Sequence, residues 1–191
     1  MFRGRGHNAL ALGELRKLLQ QCQGKDDVKY GVKMVENFQR KGQDFSEEVA
    51  SHFVSMCVRG EQPMAAVKVI AKYKNRIGAW VTPKSFHNLI ASALSVAPTE
   101  GEDPVKELVA ALEVVSRKGV RVNAEDVQEL VMRSAVDLET YNKVIAAASR
   151  VVDQDAVAEI AALYPPNVAS EATPAGVVPD AAAAAEAASK A

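Results

Sequence analysis

The sequence has few aromatic residues, only two cysteines and no long run of apolar residues. Aromatic side chains make up 5% of the chain, and no stretch reaches the ~18 apolar residues that a transmembrane helix requires. Two cysteines, Cys22 and Cys57, are too few for a disulfide framework, so we expect free, reduced thiols, with Cys57 as a small core residue. We therefore expect neither a disulfide scaffold nor a membrane-spanning helix.

A large excess of charge of either sign is also missing, because the formal net charge is −1. Any electrostatic function must therefore depend on a local asymmetry of charge. Apolar residues make up 48% of the chain, and alanine and valine dominate this fraction. Small apolar side chains let helices approach each other closely, which favours a helical architecture.

Sequence patterns for catalysis and metal binding are also missing. The histidines, His7, His52 and His87, are scattered, and no paired Cys or His ligands accompany them. We expect His52 and His87 to be partly exposed, with satisfied hydrogen bonds. Neither cysteine lies beside a histidine or in a Cys-x-x-Cys motif. We predict a non-enzymatic protein with no catalytic residue, metal site, cofactor or small-molecule substrate.

Apolar residues recur with helical spacing between residues 26 and 164. Side chains that can cap a first helical turn precede the apolar runs at Ser46, Thr82, Asp103, Asn123, Asp137 and Asp153. Pro83 and Pro104 suit the first position of a helix. Gly42 and Gly119 are expected to supply left-handed C-terminal caps. These signals predict an all-α fold of eight or nine short helices.

A repeat organises these helices. Residues 40–46 match residues 117–123, with a separation of 77 residues. Thr82 divides this interval into periods of 36 and 41 residues, and without the insertion at 97–102 both periods approach 35. Seven residues after each of the three caps comes a large apolar residue: Phe53, Leu89 and Leu130. Two helices per period of this length predict an α-solenoid of stacked helical hairpins.

The two ends of the chain differ from this central domain, which spans residues 26–164. Residues 1–25 are amphipathic, with Glu14 as the only acid against Arg3, Arg5, Arg16, Lys17 and Lys25. This composition is typical of a mitochondrial or plastid targeting leader, and equally of a first helix with a basic arm. Residues 165–191 are rich in alanine and proline, and we predict a disordered tail because they cannot bury enough apolar surface.

One local charge asymmetry stands out between residues 62 and 99, which contain no acid. The basic residues of this stretch are Lys68, Lys72, Lys74, Arg76 and Lys84. Lys68 and Lys72 share a helix face because they are four residues apart. With Trp80 interleaved, this pattern suits RNA phosphate contact and base stacking. The alternative is a solvated helix face, with Tyr73 and Trp80 packed in the core. The acidic stretch that follows, residues 100–113, could pair with a basic protein neighbour.

Two segments of the central domain resemble the pentatricopeptide repeat proteins. Val81-Thr82 followed by residues 86–94 is similar to the opening of that repeat, and residues 111–123 are similar to its close. The resemblance covers about residues 28–150. It implies stacked helical hairpins that read RNA bases from the middle of each first helix, at His52, Asn88 and Glu129. Only Asn88 is of a usual base-reading type, which argues against sequence-specific reading. Residues 140–145 also look like a repeat opening, although their distance from the cap at Asn123 places them in the second helix of a hairpin.

Short, degenerate members of this family tend to be structural subunits of organellar assemblies. The resemblance therefore implies an RNA- and protein-binding subunit of a mitochondrial ribosome or similar ribonucleoprotein, in the matrix, with the plastid as the alternative. Residues 28–94 also resemble the helical matrix-side subunit of cytochrome c oxidase, which implies an accessory subunit of a respiratory complex. A third hypothesis is a stand-alone organellar RNA-processing factor. The candidate RNA- or partner-binding residues are Lys68, Lys72, Lys74, Arg76, Lys84, Trp80 and Asn88.

Overall fold

A computed structural model describes residues 11–72, 77–96 and 103–166. This part of the chain contains nine α-helices, one short 3₁₀ helix and no strand, which confirms the all-α prediction. None of these helices is long and apolar enough to cross a membrane. The α-helices are α1 Leu12–Gln21, α2 Lys25–Arg40, α3 Glu47–Arg59, α4 Pro63–Lys72, α5 Pro83–Ser95, α6 Pro104–Arg117, α7 Ala124–Ser134, α8 Leu138–Ala148 and α9 Gln154–Leu163.

The helices begin where the capping side chains predict, and all but one of these side chains form the expected hydrogen bond. Side-chain oxygens accept first-turn N–H groups at Ser46, Thr82, Asp103, Asp137 and Asp153. The prediction of a side-chain cap at Asn123 is wrong. Its backbone carbonyl accepts the N–H of Val127 at 3.3 Å, and α7 begins with that bond alone, without help from the amide side chain.

The predicted glycine caps are confirmed by the backbone. Gly42 and Gly119 follow the ends of α2 and α6 with φ of 76° and 70°. This left-handed region strains residues that carry a Cβ atom, so glycine suits both positions. The N–H of Gly119 donates to the carbonyl of Ser116 at 3.0 Å, which uses one of the free acceptors at the end of α6.

Each helix contacts its neighbour in the chain and also a helix two positions away. The odd-numbered helices contact in the order α1 with α3, α3 with α5, and α7 with α9, while the even-numbered helices contact in an unbroken order from α2 to α8. Phe53, Leu89 and Leu130, the apolar residues seven positions after the caps, have no exposed surface. Helix α8, which contains residues 140–145, contacts α6 and so belongs to the even-numbered series.

Helix α1 lies in the N-terminal segment for which two interpretations were open. Leu15 and Leu19 of this helix are completely buried, and α1 contacts both α2 and α3. The targeting leader stays a prediction, and residues 1–10 lie outside the described residues. Most of the predicted disordered tail, residues 167–191, also lies outside them.

A polar contact recurs at equivalent positions between successive odd-numbered helices. In each contact, one partner lies five residues after the N-cap of an odd-numbered helix. The other partner lies two or three residues after the N-cap of the next odd-numbered helix. We call these contacts the polar rungs. They are Arg16 Nη1 to Glu48 Oε2 at 2.7 Å, Ser85 Oγ to Ser51 Oγ at 3.1 Å, and His87 Nδ1 to Asp126 Oδ1 at 2.7 Å.

Candidate functional site

Helix α4 presents two of the candidate lysines to solvent. Pro63 occupies its first position, and the buried face consists of small and β-branched residues, Ala66, Val67, Val69 and Ile70. Lys68 and Lys72 are exposed on the opposite face, one turn apart. The stretch without acids therefore produces a real cationic helix face, as its spacing predicted.

Helix α5 carries the other described candidates on its own exposed face. Lys84 and Asn88 are exposed and four residues apart, whereas Phe86 is completely buried. Because α5 belongs to the odd-numbered series and α4 to the even-numbered series, the structure divides the predicted basic site between two kinds of helix.

Trp80 ends the 3₁₀ helix Ile77–Trp80, which joins α4 to α5. Ile77 is completely buried, but Trp80 leaves 38% of its surface exposed. The tryptophan is therefore not fully packed in the core and offers part of its ring to solvent. Tyr73, Lys74 and Arg76 lie outside the described residues.

An acid from another helix approaches the cationic face of α4. Glu36 Oε1 of α2 lies 3.7 Å from Lys72 Nζ, and Glu36 Oε2 lies 3.7 Å from Arg40 Nη2. Sequence reasoning missed this acid because it is 36 residues away from Lys72. The Lys72 side chain is 66% exposed and the Glu36 side chain only 20%, so this largely shielded acid offsets part of the positive charge of the α4 face.

Two of the three residues at base-reading positions have partners within the protein. The His52 ring lies 2.8 Å from Gln20 Nε2, and Glu129 Oε1 accepts from Arg133 Nε at 2.6 Å. Asn88 is exposed. The hydrogen bonds of His52 and His87 confirm the prediction of satisfied, partly exposed histidines. His7 lies outside the described residues.

The rung between α5 and α7 contains a buried carboxyl group. Asp126 is 4% exposed, and burial raises the pKa of its carboxyl, against the lowering effect of the hydrogen bond from His87. Asp126 Oδ2 has no hydrogen-bond partner in the described part of the protein. The His87 side chain is about half exposed. A carboxylate that is desolvated and half satisfied depends strongly on its single partner.

A charged groove of about 360 Å³ lies between α6 and α8. Lys106 Nζ lies 3.2 Å from Asp137 Oδ2, and Lys143 pairs with Glu139. Hydrogen bonds from Thr140 and then Lys106 lower the pKa of Asp137 to about 2. The lining carries two lysines against three acids, Glu113, Asp137 and Glu139, so this groove does not favour an anionic ligand.

The thiols and acids show no reactive arrangement in the described part of the chain. Burial raises the pKa of Cys57 to about 12, so this thiol stays protonated at neutral pH. Cys57 is completely buried, which confirms it as a core residue. No group of three or more His, Cys, Asp or Glu side chains is placed to hold a metal ion within the described ranges.

No protein-family model matches this chain, and neither a curated protein nor a solved structure matches it.

Proposed function

We propose that this chain is a non-enzymatic structural subunit of an organellar ribonucleoprotein, such as a mitochondrial ribosome. The exposed Lys68 and Lys72 on α4, which has no acid of its own, carry this proposal. They would contact RNA phosphates or an acidic protein neighbour, with Lys84 as a further contact on α5. Trp80 offers an exposed aromatic surface on which a base could stack.

The architecture proposed with this function is an α-solenoid of stacked hairpins similar to pentatricopeptide repeats. The contacts between helices two positions apart support it, because hairpin stacking brings such helices side by side, and these contacts join every such pair except α5 and α7. The recurrence of the polar rungs at equivalent positions supports it independently. Such an array offers extended surfaces to partners and needs no enclosed active site.

The distribution of charge supports a polyanionic partner on one surface. Within the described helix bounds, the even-numbered helices carry nine Lys and Arg against six Asp and Glu. The odd-numbered helices carry five against eight. The two series thus differ in sign, which favours phosphate contact on the even-numbered side.

We propose that the protein contacts the phosphates of RNA and does not recognise individual bases. His52 and Glu129 are engaged with other side chains, which leaves Asn88 as one exposed amide among three equivalent positions. Phosphate contacts fix position and orientation without sequence information. The mitochondrial matrix is the proposed location, with the plastid as the alternative, and both rest on the basic composition of residues 1–25.

Fractionation of an organelle lysate tests the assembly. We expect the full chain to sediment with a large particle and to be released when nuclease degrades the RNA. Migration with a detergent-extracted membrane complex, unchanged by nuclease, would instead support the accessory respiratory subunit. Sedimentation as a free small protein under both conditions would contradict both assignments.

Salt dependence of RNA binding tests the surface. Each phosphate contact contributes ~0.7 to the slope of log K against log salt for a single strand. We expect the double variant Lys68→Gln/Lys72→Gln to lower that slope by about 1.4. The matched control is Lys17→Gln/Arg133→Gln, which removes the same charge from exposed positions of the odd-numbered helices α1 and α7. Equal losses in both variants would show that only net charge matters.

A further inference from the structure

The segments that connect the helices carry opposite charges at their two kinds of corner. We call the connections from an even-numbered helix to the next odd-numbered helix the basic corners. In the described residues they contain four bases and two acids, Asp44 and Asp153. The four bases are Lys41, Lys118, Arg121 and Arg150.

The opposite connections, from an odd-numbered helix to the next even-numbered one, are the acidic corners. Their described residues include Glu61, Asp103 and Asp137 and no Lys or Arg. The sequence adds two more acids to the connection between α5 and α6, at Glu100 and Glu102. The described Lys and Arg residues of the connections are therefore confined to the basic corners, while acids occur at both kinds of corner.

Contacts between the even-numbered helices place corners of the same kind side by side. Arg117 at the end of α6 and Arg150 just after α8 line the same cavity of about 310 Å³. Lys72 at the end of α4 lies beside Glu36 in the last part of α2. The C-terminal ends of α2 and α4 are therefore adjacent, as are those of α6 and α8. Gly78, in the segment after α4, lies against Val114 in the last turn of α6, so the basic corners share one edge of the protein. Neighbouring helices pack ~8–10 Å apart, so the corners recur at that spacing.

The bases at the corners differ in ion pairing from Arg40 and Arg117, the last residues of α2 and α6. Arg40 and Arg117 are paired with Glu36 and Glu113 of their own helices. Lys41, Lys118, Arg121 and Arg150 are all exposed, and no carboxylate of the described residues lies within ion-pair distance of them. These four side chains are available to an external anion.

The helix dipole does not account for the whole set. Bases in the last turn of a helix are stabilised by its C-terminal carbonyls, and this effect falls off within that turn. It explains Arg40 and Arg117. Arg121 lies four residues beyond α6 and is outside its reach. Lys41 and Lys118 occupy equivalent places in the repeated Arg-Lys-Gly sequence. A glycine with left-handed backbone geometry follows each of these two lysines.

We propose that this basic edge binds the phosphate backbone of an RNA, through the described bases of the connections that follow α2, α6 and α8. The inference rests on the proposed ribonucleoprotein function and assigns the contact to the corners as well as to the face of α4. The acidic corners lie at the other ends of the helices, so the protein orients itself with that side away from the phosphates.

The test compares two triple variants of the full chain on a short, fluorescently labelled single-stranded RNA of mixed sequence. The edge variant is Lys118→Gln/Arg121→Gln/Arg150→Gln. The control, Lys17→Gln/Arg59→Gln/Arg133→Gln, removes the same charge from exposed positions of the odd-numbered helices α1, α3 and α7. We expect the edge variant to lower the slope of log K against log salt by about 2, since three contacts contribute ~0.7 each. The control should lower it by much less.

The outcomes separate this inference from the function on which it rests. Wild type that binds RNA, with equal slopes for the two variants, overturns the basic edge but leaves the ribonucleoprotein proposal intact. Wild type with no salt-dependent affinity for RNA overturns both, and an acidic protein as the partner becomes the remaining explanation. Thermal unfolding followed by circular dichroism checks that both variants fold, because exposed substitutions normally change stability by ~0.5 kcal/mol or less.

Discussion

The junction between α1 and α3 and the junction between α5 and α7 contain the same polar rung in different surroundings. At the first, the two helices pack closely, Leu15 and Leu19 are completely buried, and the Arg16–Glu48 pair is exposed. At the second, the backbones of α5 and α7 do not pack closely, and the rung joins the half-exposed His87 to the buried Asp126.

This difference shows that an equivalent position does not imply an equivalent energy. An exposed ion pair above a packed apolar contact adds little, because solvent screens it and apolar burial already holds the helices. A rung that supplies the hydrogen bond of a buried carboxyl group contributes more to stability, because its loss leaves that carboxyl without any partner. The four predictions below test this contrast.

The largest effect is expected from the apolar contact beneath the first rung. Leu19→Ala removes a completely buried side chain and should lower the free energy of unfolding by about 2–5 kcal/mol. Urea denaturation measures it, as a lower midpoint with an unchanged m value. Lys17→Ala, at an exposed position of the same helix, is the control and should change stability by less than about 0.5 kcal/mol. Equal effects would mean that α1 is not part of the core.

The next effect is expected from the second rung. His87→Ala leaves Asp126 buried with neither oxygen hydrogen-bonded, and should cost about 1–3 kcal/mol at neutral pH. The double variant His87→Ala/Asp126→Asn should recover part of this loss, because the amide carries no charge to desolvate. If His87→Ala costs no more than Arg16→Ala, the contrast between the two junctions is wrong.

The pH dependence of Asp126→Asn sharpens the same contrast. The folded pKa of Asp126 is raised above its unfolded value of ~3.9, so the native state binds more protons between these two pKa values. The contribution of Asp126 to wild-type stability therefore falls as pH rises through that window. The Asp126→Asn variant has no carboxyl group to titrate at this position. Its free energy of unfolding, minus that of wild type, should therefore rise with pH across the window and then level off. Unfolding midpoints at a series of pH values measure it. A constant difference would contradict the raised pKa.

The smallest effect is expected from the first rung. Arg16→Ala should cost less than about 1 kcal/mol, because both partners of the ion pair are exposed. The difference from wild type should shrink further in high salt, which screens exposed charges. A cost above that of His87→Ala would reverse the contrast.

The sequence predicted the local features of this fold well. A cap such as Ser46 needs only an N–H three residues away, and Gly119 needs only its own backbone to reach a positive φ. Asn123 failed as a side-chain cap, because a residue type that favours capping does not compel its side chain to turn toward the helix. Signals within one helical turn can therefore be read directly, with occasional errors of this kind.

Contacts between helices could not be predicted from the sequence. Lys72 meets Glu36 and His87 meets Asp126, and in each case the partners are more than thirty residues apart. Which faces meet depends on how the hairpins pack, and a window of composition along the chain does not contain this information. The same limit explains why the single basic stretch divides between α4 and α5. The basic corners did have a sequence signal, the repeated Arg-Lys-Gly, which also served to define the repeat.

The positive φ of Gly119 has a stereochemical consequence. A Cβ atom placed there meets no atom within 4 Å, so the position excludes other residues through handedness alone and not through crowding. A mirror-image residue adopts this backbone region naturally. D-alanine introduced at this site by chemical synthesis should therefore preserve the corner and rigidify it, while ordinary L-alanine should cost about 1–2 kcal/mol.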